Sequence, residues 1–288
     1  MLNYIGYLFY RLGEAIAVCV PTERAYRLAE RIAWLYWIIH RRSRATLLAN
    51  LRQVLGPHAD EAAVQRTARA GFDHFAYGVV DFFRLPRLLD GELDELIVSV
   101  TGEEHLHEAL AAGRGGILMI AHMGPWEAGG AWIASRGIPL TGVALTHEAP
   151  RVEEFFLSRR ERSGFRTVPL GRAARDLLRT LQRGEMIVVA ADRNFTEFGT
   201  QVEFFGRPAP MPDGHVRIAL RTGAPILPAI LVRTKKMKVQ VIIEPPITLQ
   251  KGQDDVLSGM RRCLDVLEHY ISRWPEQWMA FSRIWPDE

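Results

Sequence analysis

Gly115-Gly-Ile-Leu-Met-Ile-Ala-His122-Met-Gly-Pro-Trp-Glu127-Ala-Gly-Gly130 holds, within sixteen residues, a buried strand, a sharp bend and the start of a helix. The apolar run Gly116–Ala121 follows a glycine-rich turn and has no polar alternation, which marks a strand covered on both faces. Gly124-Pro125 breaks the extended chain, and proline suits the first helical position, so a helix is expected over 127–136. His122 therefore stands just past the carboxyl end of a buried strand.

The rest of the chain repeats that grammar. Apolar runs at 96–100, 140–145, 186–191, 226–232 and 239–244 alternate with helical stretches at 103–112, 150–163, 172–183, 213–222 and 254–273. Strands alternating with helices predict an α/β fold with a largely parallel central sheet flanked by helices. In such sheets ligands bind beyond the carboxyl ends of the strands. Residues 1–88 read instead as helical, with Ala25, Leu28, Ala29, Ile32, Leu35, Tyr36 and Ile39 at three- and four-residue spacing. Gly56-Pro57 interrupts them, and a further helical run ends near Leu85-Pro86. The expected organisation is an N-terminal helical, membrane-associating region over 1–88 and an α/β core over 89–288, in one continuous domain.

Composition narrows the function. The 288 residues are 48% hydrophobic, enough for a substantial core, and 36 Lys+Arg against 33 Asp+Glu leave a net charge of +3. That balance is too mild to indicate nucleic acid. Cys19 and Cys263 lie in apolar stretches far apart, so they are read as two buried thiols in a reducing compartment. Residues 2–20 are apolar and aromatic but carry Arg11 and Glu14, and a full span needs about 20 apolar residues with few charges. Ile32–Ile39 is followed at once by His40-Arg-Arg-Ser-Arg44. Aromatics beside a basic cluster suit the headgroup layer of an anionic membrane, and the expectation is a peripheral or N-terminally anchored protein on the cytoplasmic face of the inner membrane. A pair of core helices gives the same pattern.

His122 and Glu127 are five residues apart, which in one helix would set their side chains roughly 140° apart. A bend at Gly124-Pro125 lets them meet. A carboxylate on one imidazole nitrogen fixes the tautomer and makes the other a general base. Otherwise Glu127 sits in the first helical turn, favoured by the helix dipole. No GxSxG elbow, no GxxxxGK[ST] loop and no strand–GxGxxG–helix fingerprint occurs, and His105 and His107 lack further metal-ligating partners, so no metal site is expected.

From about residue 5 to 285 the sequence resembles the lipid A lauroyl and myristoyl acyltransferases, a family that includes the phosphatidylinositol mannoside acyltransferases. The resemblance rests on His122 with Glu127 (an HX4D/E motif), Asp192-Arg193-Asn194, Val202-Glu-Phe-Phe-Gly-Arg207, Met211-Pro-Asp-Gly214 and Pro275-Glu-Gln-Trp278, in that order. It implies a glycerol-3-phosphate acyltransferase-like fold and transfer of a fatty acyl group from acyl-CoA or acyl carrier protein, as substrate rather than cofactor, to a hydroxyl of a membrane lipid or glycolipid. It also implies His122 as general base and Glu127 as the residue that orients it. Arg193, at a strand end, would stabilise the oxyanion, with backbone N–H groups near Gly124–Trp126, or would hold a phosphate of the acceptor or of the acyl carrier; a salt bridge to Asp192 or a neighbouring acid is the plainer alternative. Glu203 would grip acceptor hydroxyls, or stand as a surface acid at a strand edge. Trp126, Phe204 and Phe205 would line an acyl groove, although aromatic pairs are also ordinary core. Trp274, Trp278 and Trp285 read as packing or as interfacial anchors. Met279–Trp285 departs from the basic stretch common after Trp278 in the lipid A enzymes, and Asp192-Arg193 is closer to the mannoside branch. The same His–Glu pair could instead activate water in a lipid hydrolase, or sit unused in a lipid-binding protein.

Overall fold

The computed structural model describes residues 2–196 and 198–285. Four helices lead: α1 (Leu2–Cys19), α2 (Thr22–Ile39), α3 (Arg41–Leu55) and α4 (Glu61–Arg87). Pro21 opens α2, and Gly56, with φ +83°, closes α3. The core follows as β1 (Ile97–Thr101), α6 (Glu103–Ala111) after a short α5 (Leu93–Leu96), β2 (Gly116–Ile120), α7 (Trp126–Ser135), β3 (Leu140–Ala144), α8 (Pro150–Arg162), β4 (Phe165–Pro169), α9 (Ala173–Gln182) and β5 (Met186–Ala190). A hairpin of β6 (Thr200–Phe204) and β7 (Arg207–Met211) precedes α10 (Gly214–Thr222), β8 (Ile226–Lys235), β9 (Lys238–Ile243) and α11 (Val256–Arg273).

Seven strands form one sheet in the order β1-β9-β8-β2-β5-β3-β4. All neighbours run parallel except β8 and β9, so the expected α/β architecture with a mostly parallel sheet is present. The central strand β2 is buried from Gly116 to Met119, as its unbroken apolar run requires. Its register with β5 aligns Ile120 with Ala190. Two residues on, each strand ends in a polar side chain: His122 after β2 and Asp192 after β5. Parallel neighbours lie about 4.8 Å apart, so the sheet itself brings the two together.

The N-terminal helices pack against this core. Tyr10 of α1 meets Phe83, Phe155 and Phe156 with ring centroids 5.4–6.4 Å apart. Glu14, which with Arg11 interrupts the first apolar run, accepts a 2.8 Å hydrogen bond from Arg159 Nε of α8. No helix among the described residues is long and apolar enough to cross a membrane. Cys19 is exposed, against the expectation of a buried thiol, whereas Cys263 is buried. The outer face of α2 carries Ile32, Trp34, Leu35, Ile38 and Ile39, all large and exposed.

Candidate active site

His122 is held by its backbone before its ring does anything. Its carbonyl accepts from Met279 N–H at 2.8 Å, and Gly124 N–H donates to Gln277 O at 3.1 Å. Gly124 has φ +57°, and a Cβ there would lie 2.1 Å from the Leu231 carbonyl oxygen of β8. Only glycine fits that turn. At Gly129 a Cβ would meet the Leu231 side chain at 2.6 Å, so the close neighbour of this helix is a core leucine.

The imidazole meets Asp192. Nδ1 lies 2.7 Å from Asp192 Oδ1, with the aspartate side chain fully buried and the histidine side chain 18% exposed. Asp192 Oδ2 accepts from Trp278 Nε1 at 2.9 Å. Burial alone would raise the carboxyl's affinity for a proton. The charge and hydrogen bond of His122, the nearby Arg193 and the Trp278 N–H more than reverse this and hold it well below the usual carboxylate range. An ionised Asp192 accepts only, so His122 Nδ1 must carry the proton and donate it. Arg193 Nε, 3.2 Å from the same nitrogen, then has no lone pair to bind there and acts as a neighbouring charge. Its Nη1 donates to Met279 O at 2.9 Å. Burial lowers the Arg193 pKa, partly offset by Asp192. The free Nε2 of His122 is left as the basic nitrogen, with the Trp126 and Phe195 rings edge-on at 5.5 and 5.9 Å.

Glu127 is placed differently from expectation. Its carboxylate pairs with Arg160 of α8, at 2.6 Å to Nη2 and 3.2 Å to Nε. The bend at Gly124-Pro125 does not turn Glu127 onto His122. It starts α7 so that Glu127 ties that helix to α8, and Asp192 is the acid on the ring. The Gly124 N–H, expected to face an oxyanion, is occupied by Gln277. The N–H groups of Trp126 and Glu127 begin α7 and have no acceptor within the helix.

The remaining expected residues divide. Trp126 and Arg193 border the imidazole. Glu203 is exposed on β6, and its backbone carbonyl accepts from Arg261. Phe204 is fully buried against Trp285, 5.7 Å away, and half-buried Phe205 packs on Phe204 at 4.7 Å. Both belong to core packing rather than to an open groove. Trp278 and Trp285 are buried as well, so neither is an interfacial anchor. Trp278 went unrecognised in the sequence as a partner of the site. Its only advance signal was membership of Pro275-Glu-Gln-Trp278.

A sequence profile described as bacterial lipid A biosynthesis acyltransferase matches residues 1–286. The chain belongs to this family. Among its relatives is a phosphatidylinositol mannoside acyltransferase of Mycobacterium tuberculosis (strain CDC 1551 / Oshkosh), 35% identical over 191 residues, covering 63% of this chain and 59% of the relative. The protein of that name from Mycolicibacterium smegmatis is 35% identical over 187 residues, 63% of this chain and 60% of its own. A lipid A biosynthesis acyltransferase of Haemophilus influenzae is 26% identical over 180 residues, 62% and 56% of the two chains. The chain thus spans less than two thirds of the length of these relatives. In this chain His122 and Asp192 stand at adjoining strand ends, Nδ1 2.7 Å from the carboxylate.

Proposed function

We propose that this protein is an acyltransferase that moves a fatty acyl group from a thioester donor to a hydroxyl of a glycolipid or lysophospholipid, with His122 as general base. The observation that carries the reading is the 2.7 Å contact between His122 Nδ1 and the buried Asp192 carboxylate, which leaves Nε2 to accept a proton. In the reaction, Nε2 takes the acceptor hydroxyl proton while that oxygen attacks the thioester carbonyl carbon. The tetrahedral intermediate collapses, the C–S bond breaks, and the imidazolium returns its proton to the departing thiolate. The Trp126 and Glu127 N–H groups at the start of α7 are the candidate donors to the oxyanion. Arg193 supplies a fixed positive charge beside the His122 ring.

The donor would be acyl-CoA or acyl carrier protein, with no cofactor. The names of the relatives favour a mannosylated phosphatidylinositol or a lipid A precursor as acceptor. An acceptor with lipid tails requires the protein at a membrane, proposed here as the cytoplasmic face of the inner membrane. Exposed Phe9, Trp34, Ile38 and Ile39, with Arg41, Arg42 and Arg44 beyond, support contact through residues 1–88, packed with the 89–288 core as one unit.

The test supplies palmitoyl-CoA and, separately, acyl carrier protein with extracted membrane glycolipids, and follows products by mass spectrometry. Acyl transfer that vanishes in His122→Ala is expected. Release of free fatty acid without acylated lipid would make the protein a hydrolase and refute the transfer reading.

A further inference from the structure

Three consecutive residues after α11 touch Gly124, Asp192, Arg193 and the His122 backbone. Gln277 O accepts from Gly124 N–H at 3.1 Å. Its side chain also brackets the Arg233 backbone of β8, with Oε1 2.7 Å from Arg233 N and Nε2 3.0 Å from Arg233 O. Met279 N–H donates to His122 O at 2.8 Å, and its carbonyl receives Arg193 Nη1 at 2.9 Å. Between them Trp278, fully buried, pairs through its backbone with Met123 and sends its indole N–H to Asp192 Oδ2 at 2.9 Å. On the far side the strap is tied down by Asn50 of α3, whose Nδ2 donates to Ala280 O and Ser282 O, both at 2.8 Å.

We propose that Trp278 is a positioning residue, the third member of a His122–Asp192–Trp278 relay, whose indole N–H sets the orientation and charge of the carboxylate that holds the histidine. This rests on the proposed role of His122, but its geometry stands apart from any substrate. Asp192 has two oxygens and one partner for each. With the N–H in place, Oδ1 is directed at the imidazole, and part of the carboxylate charge is neutralised from behind. Without it, Oδ2 is a buried acceptor with no partner, and the full charge bears on the ring. That favours imidazolium, and it also favours protonation of Asp192 itself. Both changes move the acid limb of the rate profile in the same direction, to higher pH.

Among the described residues, the charged groups against the ring are Asp192 and Arg193. The rings of Trp126 and Phe195 are uncharged. Glu127 is paired with Arg160, on α7 and α8. Of these groups, Asp192 is the one that the indole N–H touches.

The decisive variant replaces the indole N–H of Trp278 by sulfur (3-benzothienylalanine), which keeps the bicyclic shape. Trp278→Phe serves as the simpler, cavity-forming version. The packing control is Trp285→Phe, whose indole belongs to the same aromatic cluster but donates to Phe204 O, not to Asp192. The readouts are the pH profile of kcat and the titration of the His122 ring by NMR of labelled histidine, assigned by the signal missing in His122→Ala. The expected result is a fall in kcat of about tenfold, with little change in KM, for loss of one hydrogen bond to a charged group. The acid limb and the His122 midpoint should rise together by about half a pH unit or more. Trp285→Phe should lower the unfolding temperature and leave both midpoints in place. A benzothienyl variant that titrates as the wild type overturns the proposal. So does a Trp285→Phe variant that shifts equally. Should the wild type transfer no acyl group, the proposed function fails, and the NMR titration still decides on Trp278.

Discussion

Asp192→Asn removes one negative charge and one acceptor from a fully buried position while keeping the side-chain shape. Asparagine has a single acceptor oxygen where two N–H groups now converge, from His122 at 2.7 Å and Trp278 at 2.9 Å. With the amide oxygen toward His122, the NH2 faces the Trp278 N–H and both donors go unpaired. With the amide turned over, its NH2 donates to Nδ1, the proton moves to Nε2, and the base is lost. In either pose the imidazolium formed during transfer has no counter-charge. At a charge separation of roughly 4 Å and an effective dielectric of about 20, that charge stabilises it by ~4 kcal/mol. This corresponds to about a thousandfold in rate. The assay is single-turnover acyl transfer from palmitoyl-CoA to a glycolipid acceptor, with circular dichroism as a fold control. A loss of about a thousandfold in the chemical step is expected, with acceptor affinity close to wild type. A folded variant within tenfold of the parent would refute the assignment of Asp192 as the acid behind His122.

Three further outcomes follow from particular contacts. Glu127 and Arg160 act as one unit, so Glu127→Ala, Arg160→Ala and the double variant should lose activity non-additively, the double being no worse than the poorer single; strictly additive losses in a kinetic mutant cycle would separate them. Gly124→Ala should unfold the protein at a temperature several degrees lower, because a Cβ 2.1 Å from Leu231 O must displace the β8 backbone and the residue must keep φ +57°. An unchanged melting curve in calorimetry would deny that close approach. Burial pushes the pKa values of His74 and His215 down to about 4, with His215's ring nitrogens both unpartnered. Between pH 6.5 and 4 the unfolded chain binds protons that the folded chain excludes. Stability is then fully present above pH 6.5 and falls on acidification by about 1.4 kcal/mol per pH unit for each histidine. Urea titrations at pH 7 and 5 should show this loss, and His215→Leu should reduce its slope by about half; an unaltered slope would contradict the buried, neutral ring.

The strands that position the site are legible in the sequence because they are unbroken apolar runs. Gly116–Ile120 and Met186–Ala190 both coincide with them, and each is followed by a polar side chain at the same offset. What local sequence does not contain is adjacency. Two strands and three helices separate β2 from β5 along the chain, yet they pair in the sheet. Five-residue spacing therefore drew attention to Glu127, whereas the acid on the ring lies seventy residues away. Strand β4 was missed because Phe165-Arg-Thr-Val-Pro169 is a half-exposed edge strand with no continuous apolar run. Strand β7 was hidden by Pro208 and Pro210, which a two-stranded ribbon tolerates where a central strand does not. The turn between β6 and β7 places Phe205 at φ +50°, and contacts remote in sequence, from Glu268 to its N–H and from Gln53 to its carbonyl, hold it there. The Trp278–Asp192 contact was equally out of reach, since a tryptophan among apolar and aromatic residues reads first as packing.

The ties from Gln277, Trp278 and Met279 to the histidine turn give the protein an order of maturation. A polypeptide emerging from the ribosome acquires His122 and Asp192 long before it acquires the indole that steadies them, and Asn50 can grip Ala280 and Ser282 only after both have been made. The turn at His122 is thus complete only once residues 277–282 have been made, so a chain broken off before residue 277 would carry His122 and Asp192 without these contacts.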